Sequence, residues 1–358
     1  MNLPAIRIPD LAVARAARER VDTLTKPLGS LGRIEELAVR LCAIAGGIPP
    51  HRYERRAILI GAGDHGVTRE GVSAYPAEVT PQMVGGFCAG TAAINAFARA
   101  VRAEVFVADF GVAAALPSHP RLFDLKVAPG TENLARGPAI ERAGVERALA
   151  AGFEAFRLVA AAVSPLEILA LGEMGIGNTT PAAALVAAFT KTPAGLVVGR
   201  GTGVDDATFA RKTQVVERAV ARLGNESDPF AIASELGGYE IVGLAGTMLA
   251  AAAASIPIVL DGFIVAAAAL LARALVPNVA GYLFASHRSQ EAGHRVALRA
   301  LGLEPLFDLD LRLGEASGAA LALPIVEAAA RMVAEMKTFA EAGVSAAVAV
   351  NQEPLVPE

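Results

Sequence analysis

Leu166-Glu167-Ile168-Leu169-Ala170-Leu171-Gly172-Glu173-Met174-Gly175-Ile176-Gly177-Asn178-Thr179-Thr180-Pro181 decides how this chain folds. Leu166 to Leu171 predicts a strand, Gly172 to Thr180 a loop, and Pro181 to Thr190 a helix, since proline's fixed φ suits a first helical turn. The rhythm recurs along the chain. Ala57 to Ile60 predicts a strand running into Gly61-Ala62-Gly63-Asp64-His65-Gly66, and Met83 to Arg99 a helix before a strand at Glu104 to Ala108. Gly195 to Val198 predicts a strand leading into Gly199-Arg200-Gly201-Thr202-Gly203, with a helix from near Asp205. Ile256 to Leu260 predicts a strand ending at Asp261-Gly262, again followed by a helix. Strands alternating with helices imply an α/β fold with a parallel sheet covered on both faces. Ligands of such sheets bind at the strand carboxyl ends, where these loops lie.

The ends of the chain read differently. A short helix is expected up to about Arg20. Ser30 is expected to cap a second helix from Leu31, with Arg33, Glu35, Glu36 and Arg40 on its polar face. The segment beyond Gly302 reads as helical and is expected to pack with the N-terminal helices as a smaller unit.

Composition narrows the function. The 358 residues carry a net charge of −4, with no run of Lys or Arg, so a nucleic-acid partner is not expected. Cys42 and Cys88 are the only cysteines, which points away from a disulfide framework and toward a reducing compartment. The hydrophobic fraction is 54% and the mean hydropathy +0.46. The longest uncharged run, Ile241 to Leu260, has the length of a membrane span. It is mostly alanine, broken by Gly243, Gly246 and Pro257, and lacks a flanking basic cluster. A buried helix followed by a buried strand is therefore expected, and no membrane partner.

Several motifs bear on chemistry. In Gly172 to Thr180 the glycines let backbone approach a ligand, and N–H groups at a helix start favour an anion. An ordinary tight turn is the competing reading. The glycine spacing is not a dinucleotide fingerprint, and no Gly-Lys-Ser/Thr phosphate loop is present. The Gly199 to Gly203 loop has the same logic. Lys212 on the following helix can reach a phosphate, although a solvated helix-face lysine is the plainer reading. Asp205-Asp206 reads as a helix start rather than as a ribose-pyrophosphate motif. His287, Glu291 and His294 are spaced for one helical face, which alone does not make a metal site. Asp64-His65 reads equally as an acid–base pair or as a loop-stabilising pair. Glu315, on the glycine-flanked stretch Arg312 to Gly318 between apolar neighbours, has the setting for a raised pKa and a general-base role. A capping or surface glutamate is the plainer reading of these residues alone.

Taken together and in order, these segments resemble the nicotinate-nucleotide:dimethylbenzimidazole phosphoribosyltransferase family. The resemblance is carried by Thr25 to Gly32, Gly63 to Val67, Tyr75 to Thr80, Gly172 to Thr180, Gly199 to Asp206, Ile258 to Phe263, Ser286 to Ser289 and Arg312 to Gly318, covering nearly the whole chain. It implies a Rossmann-like sheet with a small helical domain built from both chain ends, here 1–45 with 303–358, beside a large α/β domain at 46–302. It implies transfer of phosphoribose from nicotinate mononucleotide to 5,6-dimethylbenzimidazole, giving α-ribazole 5′-phosphate and nicotinate for cobalamin nucleotide-loop assembly. No metal or other cofactor is implied, and the protein is expected to be a cytoplasmic homodimer. The implied proton acceptor is Glu315, with Glu173 as a second carboxylate near the ribose. The implied phosphate cradle is Gly175, Gly177, Gly203, Lys212 and Ser289, with Asn178, Thr179, Asp261, Gly262 and Ser286 also binding substrate. Tyr75, Met83 and Leu313 are expected to line the pocket for the aromatic base. The rival readings are a phosphoribosyltransferase using pyrophosphorylated ribose and a metal, and a non-catalytic nucleotide sensor, which would not need Glu315.

Overall fold

Six strands form one fully parallel sheet in the order β3-β2-β1-β4-β5-β6. They are β1 (Arg56–Gly63), β2 (Glu104–Gly111), β3 (Leu122–Asp124), β4 (Ile168–Met174), β5 (Ile258–Leu260) and β6 (Leu283–Ala285). The structure is a computed structural model and describes residues 1–201 and 203–345. Every residue of β1 and β4 is buried, as helices on both faces of a parallel sheet require. The chain order reverses between β1 and β4, whose register runs from Arg56 opposite Ile168 to Ala62 opposite Met174. A crevice opens at such a point beyond the carboxyl ends of the strands.

The expected α/β architecture holds, with local corrections. Glu173 and Met174 belong to β4 rather than to a loop, so the glycine loop is the short turn Gly175–Asn178 before helix Thr179–Thr190. The single helix expected from Met83 to Arg99 is two, Val79–Ala89 and Ala93–Ala100, because Gly90 takes a left-handed conformation (φ 78°) and ends the first. Gly195 to Val198 is no strand. Ala194–Val197 is one helical turn after Pro193, buried at Ala194 and Val197, and short apolar runs do not distinguish the two states. Helix Asp206–Leu223 begins as expected, with the Asp205 side chain accepting from the Thr208 N–H. Ile241 to Leu260 resolves into helix Tyr239–Ala253 and strand β5. Helix Ser317–Glu335 is long and apolar enough to cross a membrane, but most of its apolar stretch is buried within the protein, as in a core helix.

The chain divides into two compact units, Met1–Ile8 with Tyr53–Ile325, and Pro9–Arg52 with the described residues from Val326 on. Both chain ends contribute to the smaller unit, but its bounds differ from the expected 1–45 and 303–358, and residues 346–358 lie outside the described ones. Within this unit helices Leu11–Thr23 and Arg33–Ala45 pair. The second is not capped by Ser30, since Gly32 holds the capping position. Nor does Glu35 lie on a solvated face. It is 2% exposed and bonded to Lys26 Nζ at 2.8 Å.

The larger unit depends on a close helix crossing. Helices Arg142–Ala162 and Tyr239–Ala253 meet through Gly152, Gly243 and Gly246. A Cβ at Gly152 would stand 2.0 Å from the Gly243 carbonyl oxygen. Helix propensity alone favours alanine over glycine by about 1 kcal/mol, but forcing backbones apart costs on the order of 3 kcal/mol. Gly152→Ala is therefore expected to lower the thermal unfolding midpoint. Gly85→Ala, at an exposed helical glycine with nothing within 4 Å of the added methyl, is expected to raise it slightly.

Candidate active site

The carboxyl ends of β4, β5 and β6 frame a cavity of about 400 Å³, within the range of small-molecule sites. Its apolar lining includes Tyr75, Val79, Met83, Phe263, Ile264 and Leu313. An apolar lining of this kind suits an aromatic ring. Three carboxyl groups, Glu173, Glu291 and Glu315, enter it beside His287 and Arg312.

Glu315 reaches the cavity through an unusual turn. Gly314, Glu315 and Ala316 all have φ in the left-handed region, at 84°, 62° and 65°. For the two non-glycine residues this costs about 1–3 kcal/mol each. The turn is pressed against β4: a Cβ at Gly172 would sit 2.1 Å from the Ala316 nitrogen, and one at Gly314 would sit 2.5 Å from Glu173 Oε1. Glycine is required at both points, and each brings the Glu315 segment onto the strand that carries Glu173. Burial, reinforced by the negative charge of Asp261, pushes the Glu315 carboxyl up to about 7. Burial and Asp261 push Glu173 further, to about 8, although Asn178 Nδ2 donates a hydrogen bond to its Oε2. Carboxyls whose proton affinities are set apart by their surroundings can take different roles in one site.

The turn after β4 serves two spaces. Gly175, Asn178 and Thr179 line the main cavity, and the same residues with Gly177 and Lys212 line an adjoining space of about 50 Å³. Lys212 is not the solvated lysine that its helix position suggests. It is 1% exposed and donates to Thr179 Oγ1 at 2.7 Å and to the Gly199 carbonyl at 3.1 Å. Burial pulls its ammonium down to about 8. An anion arriving beside it favours the charged form. Thr80 Oγ1 accepts from the Ile176 N–H at 3.0 Å and fixes the turn from the other side.

Most of the expected site residues converge here, with exceptions. Gly203 lines neither space; Gly201, passed over in the sequence, lines both. Its N–H donates to Glu291 Oε1 at 2.8 Å. Thr202 between them lies outside the described residues. Asp261 and Ser286 do not line the cavity. Asp261 is 0% exposed, and its Oδ1 accepts from the N–H groups of Gly318 and Ala319 at 2.8 and 3.0 Å. Ser286 Oγ donates to the Asp261 carbonyl at 3.2 Å and lies 2.9 Å from His287 Nδ1. Gly262 and Ser289 do line it.

His287, Glu291 and His294 share no helical face. His287 follows β6, Glu291 occupies the capping position of helix Ala292–Leu301, and only His294 lies within that helix. His294 accepts the Ser289 N–H on Nδ1 at 3.0 Å, and burial pushes it down to about 3, so it is a neutral support for the Ser289 loop. Among the described residues no three His, Cys, Asp or Glu side chains are grouped to hold a metal ion. Asp64 and His65 do not pair with each other: His65 Nε2 donates to Glu240 Oε1 at 2.8 Å, and Asp64 Oδ2 accepts from the Ala113 N–H. Nothing local in the sequence marks Glu291 as a cavity carboxylate, because its loop partner Gly201 is 90 residues away.

Comparison with known proteins gives the family. A family described as phosphoribosyltransferase matches residues 6–344. The nicotinate-nucleotide–dimethylbenzimidazole phosphoribosyltransferase of Chloroflexus aggregans is 52% identical over 337 residues, covering 94% of this chain and 95% of that protein. The protein of the same name from Thermus thermophilus is 53% identical, covering 94% and 99%. A crystal structure of the enzyme from Thermus thermophilus superposes with a TM-score of 0.90 at 51% identity, covering 94% of this chain and 100% of that one. A chain sharing half its residues with these proteins over nearly its full length belongs to the nicotinate-nucleotide–dimethylbenzimidazole phosphoribosyltransferase family.

Proposed function

We propose that the protein moves phosphoribose from nicotinate mononucleotide to 5,6-dimethylbenzimidazole, releasing nicotinate and α-ribazole 5′-phosphate for cobalamin assembly. The observation that carries this reading is the convergence of a proton-accepting carboxyl, Glu315, and an anion-cradling turn, Gly175–Asn178, on one apolar cavity. The benzimidazole ring lies in the slot of Tyr75, Met83 and Leu313. The phosphate sits toward the N–H groups of Gly175 and Gly177, with Lys212 supplying the charge and Thr179, Ser289 and Gly201 completing the cradle. The enzyme works in the cytoplasm as a homodimer.

In the reaction one benzimidazole nitrogen gives its electron pair to the anomeric carbon. The bond from that carbon to the pyridinium nitrogen breaks, and its electron pair neutralises nicotinate. The pyridinium is already a good leaving group, so its departure needs no acid. The other benzimidazole nitrogen gives its proton to Glu315. Glu315 suits this step because it is near half-ionised at neutral pH, whereas Glu173 holds its proton more tightly. Glu173 faces the ribose. The cationic substrate favours its ionised form, which stabilises positive charge building on the anomeric carbon.

The direct test mixes purified protein with both substrates without added metal and follows nicotinate and α-ribazole 5′-phosphate. Absence of product with the wild-type protein, or turnover only with pyrophosphorylated ribose and Mg²⁺, refutes the proposal. Glu315→Gln is expected to lower kcat by roughly 10²–10⁴-fold while nicotinate mononucleotide still protects the variant against thermal unfolding. Because the base must be unprotonated, wild-type kcat is expected to rise with pH through about 7 and to level off above it, and this limb should be missing from Glu315→Gln. Lys212→Met is expected to raise KM for the mononucleotide roughly 10–100-fold, the weight of a charged hydrogen bond, leaving KM for benzimidazole nearly unchanged.

A further inference from the structure

Asp261 is buried beneath the cavity and does not line it, yet it is bonded to the two elements that carry Glu173 and Glu315. Its backbone N–H donates to the Leu171 carbonyl of β4 at 3.2 Å, two residues before Glu173. Its side-chain Oδ1 accepts from the N–H groups of Gly318 and Ala319 at 2.8 and 3.0 Å, just beyond Glu315 at the start of helix Ser317–Glu335. A carboxylate there satisfies N–H groups that have no partner within the helix. His287 seals the clamp: its Nδ1 lies 3.8 Å from Asp261 Oδ1, and a Cβ at Gly318 would stand 2.0 Å from the same nitrogen. The turn between these anchors is the strained one, with Glu315 and Ala316 both in the left-handed region. A strained turn persists only where its surroundings over-determine it.

We propose that Asp261 is a positioning residue for the proton acceptor: it locks the Gly314–Ala316 turn to β4 and thereby holds the Glu315 carboxyl in the cavity. This inference rests on Glu315 being the base of the reaction proposed above. It replaces the substrate-binding role expected for Asp261 from the sequence.

Asp261 also acts through its charge. It raises the proton affinity of both Glu315 and Glu173. The other charged or titratable groups around Glu315 are Glu173 from β4, His287 after β6, Glu291 before helix Ala292–Leu301, and Arg312 on its own loop. Burial lowers the proton affinity of His287, opposed by the charge of Asp261. Of these charges Asp261 is the one that pushes the Glu315 carboxyl up, and among the described residues neither Glu291 nor Arg312 is bonded to the turn's anchor. Asp261 alone both fixes the turn and sets the field on it.

The two contributions separate by substitution. Asp261→Asn keeps an oxygen for the Gly318 and Ala319 N–H groups and removes the charge. Asp261→Ala removes both. With Asp261→Asn, kcat is expected to stay within about tenfold of wild type while the acid limb of its pH profile moves to lower pH, since a like charge near Glu315 is gone. With Asp261→Ala, kcat is expected to fall roughly 10²-fold or more, the scale of a misplaced general base, with KM for nicotinate mononucleotide within about twofold of wild type. Three outcomes overturn the inference: both variants matching wild type in kcat and pH profile; a rise in mononucleotide KM with kcat intact, which would make Asp261 a substrate ligand; or failure of Asp261→Asn to fold, which would make it a part of the scaffold only. A wild-type protein inactive on both substrates defeats the proposed function itself, and is told apart from these outcomes because the variants are then not at issue.

Discussion

Gly172 has no side chain, and the arrangement of the site depends on that gap. The turn bearing Glu315 lies so close to β4 that a single methyl at this position would fall 2.1 Å from the Ala316 nitrogen. No rotamer adjustment relieves a clash between Cβ and backbone. With the gap, a segment far along the chain lies directly on the strand that supplies Glu173. Gly314 repeats the device from the other side, since its missing Cβ leaves room for Glu173 Oε1. Close approach makes the two carboxyls neighbours and buries both, and burial is the largest cause of the rise in each one's proton affinity.

The electrostatics follow from where the charges sit. Asp261 lies deep in the sheet's carboxyl edge, and Glu173 and Glu315 line the cavity wall. Three ionised carboxyls at such spacing are unfavourable in a low-dielectric interior. The protein relieves this unequally. Asp261 receives two backbone N–H groups and a nearby imidazole, and Glu173 receives the Asn178 amide; among the described residues no comparable donor meets Glu315. Burial still pushes the Asp261 carboxyl up, and the imidazole and these backbone bonds oppose that rise. The positive side is equally divided. Lys212 is held by the neutral oxygens of Thr179 and Gly199 and not by a direct carboxylate bond, so its charge remains available to an incoming anion.

The parallel sheet could be read from the sequence because β1, β2, β4 and β5 are apolar runs that end at or near a glycine, and such runs need no tertiary information to recognise, whereas the three-residue edge strands β3 and β6 carry no such signal. The failures lie where a partner remote in sequence decides the outcome. Ala194–Val197 has the composition of a strand, but Gly293 opposes it so closely that a Cβ there would stand 2.5 Å from the Val197 carbonyl oxygen, and the segment packs as a helical turn against helix Ala292–Leu301. Lys212 on an amphipathic helix looks solvated until Thr179 is seen beside it. Glu315 could be singled out from its glycine-flanked setting, yet its left-handed φ could not, because nothing local requires a glutamate there. Asp261 followed a strand, as many ligand-binding residues do, and only the Gly318 and Ala319 N–H groups reveal that it faces away from the cavity and toward a helix start.

The strain at Glu315 and Ala316 also bears on how the site holds its shape without substrate. Two left-handed non-glycine residues in succession would relax in an isolated peptide, so the energy that holds them must come from contacts on both flanks. The preceding flank has Gly314 against Glu173, and the following flank has the first turn of a 19-residue helix whose N–H groups end on Asp261. Those N–H bonds fix where the first helical turn lies, and the turn before it has little freedom. The Glu315 carboxyl is therefore oriented in the cavity before either substrate arrives. Substrate binding energy need not be spent on assembling it, and remains available for aligning the anomeric carbon with the attacking nitrogen.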